Sequence, residues 1–231
     1  MSTARLVFDI ETIGGDFESL DSLSQEFLLK FAEDEEEEEE IKDRLALYPL
    51  TGEIVAIGVL NPDTNQGGIF VQRGTAQNLP EFLEEGITLA YGSETEMLKR
   101  FWDAATSYST FITFNGRRFD VPYLMIRSAI HGIRPSKNLL SNRYLSLQRA
   151  DAKHIDLADQ LSFYGAAKKN FNLHMWAKTF GIKSPKEEGV SGQDITKLFK
   201  EGKIEAIARY NLGDLRATVR LYQQWEHYLN V

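Results

Sequence analysis

The sequence predicts an α/β fold, a central five-stranded mixed β-sheet flanked by α-helices, and three observations carry that expectation. Strand-like segments come first and then alternate with helical ones, the order that packs helices over a mixed sheet. Arg5 to Thr12 (Arg-Leu-Val-Phe-Asp-Ile-Glu-Thr) is apolar on both faces apart from two acids, which marks a central strand. Lys203 to about Tyr228 closes the sequence as a long helix with an apolar stripe.

The remaining elements follow in order. Gly14-Gly15 ends the first strand, and a helix is expected from about Asp21 to Phe31. Glu33 to Glu40 is an unbroken run of acids, after which Ile41 to Leu47 resumes an apolar rhythm; 21–47 therefore reads as an acidic insertion in a single domain spanning 1–231. Like charges in succession repel, so the run is expected as a solvated or disordered loop, its other reading being a contact surface for a protein partner. Glu53 to Leu60 and Gly68 to Gln72 flank the turn signal Asn61-Pro62-Asp63 and read as a hairpin. Ser93 and Glu96 form a capping box for a helix reaching about Ala105. Thr110 to Phe114 is the fourth strand, and a helix begins near Val121-Pro122 and stops around His131-Gly132. His154 to Leu157 is a short fifth strand. Asn172 to Phe180 is a helix stopped by Gly181; Pro185 and a glycine-bearing loop through Gly192 precede a short helix from about Asp194 to Lys200.

Composition narrows the function classes. No apolar run reaches the roughly 18 residues that cross a bilayer, the N-terminus enters the first strand without a signal peptide, and cysteine is absent, which excludes disulfides and thiolate metal sites. A cytoplasmic protein with no membrane association is the expectation. The net charge of −8 is matched by the eight acids of Glu33–Glu40, so the rest of the chain is neutral. Between Gly116 and Lys169, ten Lys or Arg face four acids; such a segment would supply salt-dependent contacts to phosphate, with Tyr144 or Tyr164 to stack a base, the other reading being scattered solvating charges that share no face.

Three acidic positions stand out. Asp9 and Glu11 are two apart on a strand, so both carboxylates point the same way, and burying them requires a cation or hydrogen bonds; the alternative is an acid pair at a strand end facing water. On the last helix Ile204, Ile207, Ala208, Leu215, Val219, Leu221 and Tyr222 share one stripe at about 100° per residue, and Asp214 falls on it with Tyr210 one turn earlier; the alternative is a satisfied buried aspartate or one at the edge of the stripe. Asp120 sits where an N-cap is expected, just before Val121-Pro122, and gains interest only because the strand before it is expected beside the first. His154 reads as structural.

Phe8-Asp9-Ile10-Glu11-Thr12, Phe114-Asn115-Gly116 with Phe119-Asp120, and Tyr210 with Asp214 together closely resemble the three exonuclease motifs of the DEDD superfamily, 3′-5′ exonucleases of the ribonuclease H-like fold. Tyrosine in the third motif resembles the DEDDy branch, which includes the proofreading domains of family B DNA polymerases. The resemblance runs from about residue 4 to 225 and extends to stand-alone family B-like exonucleases through His154-Ile155-Asp156-Leu157. Departures are the acidic insertion and the lack of a polymerase domain in this sequence.

The resemblance implies a ribonuclease H-like fold and a metal-dependent 3′-5′ exonuclease acting on the 3′ ends of single-stranded DNA or RNA. Asp9, Glu11, Asp120 and Asp214 would hold two Mg²⁺ or Mn²⁺ ions, since hard oxygen donors suit these cations. Tyr210 would orient the attacking water, because a phenol with an ordinary pKa of about 10 is a poor base at neutral pH. Thr12, Asn115 and Phe119 would meet the terminal nucleotide. A nucleic-acid-binding module and an endonuclease on the same fold are the competing readings; loss of an acid would mark the first, and all four are present.

Overall fold

The computed structural model describes residues 4–76, 80–169, 171–183 and 191–230. Its strands are β1 (Arg5–Gly14), β2 (Gly52–Leu60), β3 (Gly67–Val71), β4 (Phe82–Glu84), β5 (Ile87–Tyr91), β6 (Thr110–Thr113) and β7 (Lys153–Asp156). They form one mixed sheet in the order β4-β5-β3-β2-β1-β6-β7. β1 is central as expected, antiparallel to β2 and parallel to β6, and β2 and β3 make the expected antiparallel hairpin. The sheet has seven strands among the described residues rather than five. β4 is three residues long, and β5 pairs in parallel with β3, a partner distant in sequence that local patterning does not reveal.

Helices cover both faces. On one side β1 sends Leu6, Phe8 and Ile10 into a layer with α3 (Glu94–Ala105) and α4 (Asp120–Ile130), where Phe101, Trp102, Tyr123 and Leu124 are buried. On the other side Val7 and Ile13 meet α8 (Ile204–Tyr228) through Ile207, Leu215 and Val219, as the strand's period of two requires. Asp9 and Glu11 share that second side and are aimed at α8. Each fully buried Phe, Leu or Ile contributes about 1.5–3 kcal/mol, so two apolar layers of this size tolerate a few repelling carboxylates between them.

Short helices α5 (Leu157–Leu161), α6 (Leu173–Thr179) and α7 (Ile195–Lys200) lie between β7 and α8 in the chain. The Ser93–Glu96 capping box forms, and Asn172 caps α6 by accepting from the Met175 N–H. Pro185, read as part of a loop, lies outside the described residues. Among the described residues no helix is long and apolar enough to cross a membrane.

The segment between β1 and β2 corrects one expectation. The acidic run is not a loop: Glu35–Asp43 forms α2, preceded by α1 (Ser22–Leu29). Glutamate has good intrinsic helix propensity, and the repulsion is offset locally. Asp34 caps the helix by accepting from the Glu37 N–H, Glu35 to Glu38 sit at the positive end of the helix dipole, and Lys42 and Arg44 pair with Glu39 and Glu40. The solvated character expected of the run holds, since neither α1 nor α2 buries a residue. α1 leaves Leu23 and Phe27 each 75% exposed and Phe31, just beyond it, 82% exposed.

Candidate active site

The site begins where β1 outruns β6. The two strands pair only from Arg5–Thr110 to Val7–Ile112, so the β1 backbone beyond Val7 has no strand on that edge. Asp120, the first residue of α4, fills the gap: its Oδ1 accepts the Ile10 N–H at 3.1 Å. Phe119, not Asp120, is the N-cap of α4, so the carboxylate expected to cap the helix is turned to β1 instead. The turn that delivers it is held by Asp156 at the end of β7, which accepts the N–H groups of Asn115 (2.8 Å), Arg117 (2.9 Å) and Ala158 (2.9 Å). Asn115 takes a left-handed φ of 63°, a conformation asparagine tolerates better than most residues.

From the opposite side α8 brings Tyr210 and Asp214. Carboxylate oxygens of Asp9, Glu11 and Asp214 all lie within 4.8 Å of one another, the acid set of that closeness among the described residues. Asp120 stands outside that set but is electrostatically part of the cluster, raising the pKa of Asp9 and Glu11. Burial, followed by the charges of Asp120, Glu11 and Asp214, holds the Asp9 carboxyl well above its ordinary range; burial and then Asp214 do the same to Glu11. Asp120 is pushed up to about 7, chiefly by burial, although its backbone hydrogen bonds oppose the shift. Tyr210 is raised by burial and by its acidic neighbours, so its hydroxyl stays protonated.

This donor set fits a hard divalent cation. It consists of oxygens, with neither imidazole nor thiolate in the cluster. Carboxylates that repel when bare become favourable once a cation neutralises them.

A cavity of about 530 Å³ opens beside the cluster, lined by Asp9, Tyr210 and Asp214 together with Asn115, Arg118 and Lys169. Phe114, Phe171 and Trp176 supply aromatic surface, and Arg143 also reaches it while paired bidentately to Asp159 at 3.0 and 2.5 Å. Three cations of the basic segment thus share the cavity. Others are committed elsewhere: Arg127 pairs with buried Glu94, Arg149 with Asp151, and Arg117 donates to the Leu139 carbonyl. Tyr144 and Tyr164 pack on each other with ring centroids 4.8 Å apart.

The remaining sequence candidates take distinct places. Thr12 is buried and its hydroxyl donates to the Ala46 carbonyl at 2.7 Å, tying β1 to the base of the α1–α2 segment. The Phe119 ring packs against Tyr123, 5.5 Å between centroids. His154 is structural as expected: Nδ1–H donates to the Leu139 carbonyl, Nε2 accepts from Thr113, and burial lowers its pKa to about 4.

Two residues escaped the sequence reading. Asn211, fully buried on α8, donates from Nδ2 to Asp9 Oδ2 at 2.8 Å and to Glu11 Oε1 at 3.5 Å. The signal was available, since Asn211 lies four residues from both Ile207 and Leu215 on the apolar stripe, where an amide requires a reason. The second is Asp156, whose carboxylate organises the turn before Asp120.

Residues 54–230 match the family described as "Predicted 3'-5' exonuclease related to the exonuclease domain of PolB". The chain belongs to that family. The family match contains Asp120, Tyr210 and Asp214, while Asp9 and Glu11 precede it. Similar proteins include a DNA polymerase of Pyrococcus glycovorans, 27% identical over 144 residues, which cover 58% of this chain and 18% of that one. DNA polymerase 1 of Saccharolobus solfataricus is 26% identical over 146 residues, 59% of this chain and 16% of that one. The chain therefore spans less than a fifth of the relatives' length. The solved family B DNA polymerase of Pyrobaculum calidifontis superposes with a TM-score of 0.60 at 17% identity, covering 98% of this chain and 25% of that one, which establishes the shared fold. This is the ribonuclease H-like architecture that the motif resemblance implied.

Proposed function

We propose that the protein is a 3′-5′ exonuclease that hydrolyses the terminal phosphodiester bond of single-stranded DNA or RNA. Asp9, Glu11, Asp120 and Asp214 would hold two divalent cations, Mg²⁺ or Mn²⁺. The observation that carries this reading is the meeting of three acids from β1 and α8 at a cavity that also holds Tyr210 and cationic side chains. Bound cations would activate water and neutralise charge on the phosphate during in-line displacement.

The chain's own groups have separable tasks. Tyr210, kept protonated by burial, cannot serve as a base and instead holds the attacking water by hydrogen bonding. Arg118 and Lys169 attract phosphates without regard to sequence, and Phe171 and Trp176 offer faces on which terminal bases stack. Asn115 meets the last nucleotide; Thr12 and Phe119 support that end of the site by holding β1 and the turn before α4. The α1–α2 segment, read as an insertion, is proposed as the place for a protein partner, because it combines an exposed Leu23-Phe27-Phe31 stripe with an acidic helix.

Purified protein incubated with Mg²⁺ or Mn²⁺ and 5′-labelled DNA and RNA oligonucleotides tests this. A ladder shortening from the 3′ end is expected. Internal cuts would instead assign an endonuclease, and a mobility shift without cleavage would assign a binding module.

A further inference from the structure

Asn211 is an amide in a place where a leucine would pack. Its side chain is fully buried between α8 and the sheet, and its two ends are treated differently. The amide nitrogen faces Asp9 and Glu11 and bridges them at 2.8 and 3.5 Å, the orientation that suits carboxylates ionised to hold a cation, since these only accept hydrogen bonds. The same contact opposes the upward shift of both acids. Oδ1 is then turned to β2, buried and without a hydrogen-bond partner among the described residues, an arrangement that costs stability.

Across the sheet from Asp9 stands Gly58. A Cβ built on Gly58 would lie 1.9 Å from Asn211 Oδ1, an impossible contact. The strand position opposite Asp9 is thus bare where the amide needs room. A lost packing residue in β2 and an orphaned carbonyl on α8 are two local costs that serve one contact, the bridge from Nδ2 to the paired carboxylates. Helix packing alone explains neither, because an apolar side chain at 211 would fill the same space without leaving a buried oxygen unpaired.

We propose that Asn211, seated over Gly58, is a positioning residue that fixes Asp9 and Glu11 at the mutual spacing a divalent cation requires; this rests on reading the acid set as a cation site. The bridge orders both carboxylates before the cation arrives, so less ordering remains for binding to accomplish. Neither Asn211 nor Gly58 touches substrate in this account.

Calorimetric Mn²⁺ titration of the full chain tests it, with far-UV circular dichroism as the check on folding. Asn211→Ala is expected to weaken Mn²⁺ binding by about tenfold, the range typical of losing an outer partner of a metal ligand. Gly58→Ala should do the same by displacing the amide. The sharpest outcome concerns the pair: Gly58→Ala combined with Asn211→Ala should cost no more affinity than Asn211→Ala alone, since only the flexible Leu215 Cδ1, 2.7 Å from the added Cβ, is left to move within 3 Å. Activity of Asn211→Ala should need more Mn²⁺ for half-maximal rate while recovering most of its turnover when Mn²⁺ saturates. Wild-type Mn²⁺ affinity in folded Asn211→Ala would overturn the role of the amide, as would additive losses in the double variant. If Gly58→Ala fails to fold, Asn211→Ala decides alone. A wild-type protein that binds no Mn²⁺ would overturn the cation-site reading itself, and this proposal with it.

Discussion

Two regions of this chain are rich in carboxylates, and the fold treats them in opposite ways. Glu33 to Glu40 are contiguous, yet a helix spreads them around an exposed surface where water, capping and Lys42 or Arg44 relieve their repulsion. Asp9, Glu11, Asp120 and Asp214 come from the two ends and the middle of the sequence, yet β1, α4 and α8 converge on one small volume beside the cavity, where Glu11 and Asp120 are buried and Asp9 and Asp214 half-buried. Charge density along a sequence therefore does not identify a site. What identifies it is charge placed on positions that the hydrophobic pattern reserves for the core, because only there is repulsion unscreened and a cation required.

The first way to break this contrast is to change single groups in the buried set. Asp214→Asn keeps the shape and removes a proposed anionic ligand, so cleavage should fall to background even at high Mn²⁺, and the heat of Mn²⁺ binding should shrink with it. Tyr210→Phe removes only the hydroxyl proposed to orient water. Its single-turnover rate should drop by on the order of 10² with Mn²⁺ affinity unchanged. Full activity in Tyr210→Phe would remove the tyrosine from the mechanism, and unaltered Mn²⁺ binding in Asp214→Asn would remove the aspartate from the site.

A second test uses pH in the absence of metal. Asp9, Glu11 and Asp120 have folded pKa values raised above their unfolded ones, so folding favours their protonated forms. The stability this gives is complete below the ordinary carboxylate value of about 4 and is lost as pH rises through the folded value, about 7 for Asp120. Metal-free protein should thus melt lower at pH 8 than at pH 5 by several degrees, each kcal/mol being worth about 2–4 °C in a domain of this size. Glu94 works the other way: burial alone would raise it, but Arg127, the Ile54 N–H and His131 outweigh burial and lower it, so its contribution is lost on acidification. The comparison that isolates the cluster is Asp9→Asn with Asp214→Asn, which should flatten the decline between pH 5 and 8. A melting curve indifferent to those substitutions would show that the acids are not held against their repulsion.

The smallest effect is expected from the exposed region. Changing Glu35–Glu40 to glutamine keeps a good helix former and removes only solvated charges, so Tm should move by no more than a degree or two. Oligonucleotide binding should tighten at low salt, and that gain should vanish near physiological ionic strength, where charges beyond about 8 Å are screened. A collapse in Tm would make α2 part of the core.

Much of this architecture was legible because local and tertiary signals agree. β1 announces a central strand, α8 a long amphipathic helix with Asp214 on its buried stripe, and Ser93 with Glu96 a helix start; each is found where the pattern puts it. The site motifs were legible as an ordered set where single acids were ambiguous. The unread parts are those decided by partners far away. β5 owes its state to parallel pairing with β3, and Asp120 accepts from Ile10 rather than capping its own helix only because β6 stops short of it. α2 went unread because repulsion was weighed without the cap and the dipole that offset it. Asn211 stood out on the apolar stripe of α8, but its partners, Asp9, Glu11 and the bare Gly58 opposite Asp9, lie on β1 and β2 and come beside it only in the fold.

Soaking a crystal of the protein in Mn²⁺ and collecting anomalous diffraction tests the central contrast most directly. The account predicts two peaks about 3.5 to 4 Å apart among Asp9, Glu11, Asp120 and Asp214, and none along α2, where the acids are more numerous but exposed. Empty density between β1 and α8, or manganese bound to the acidic helix instead, would contradict it.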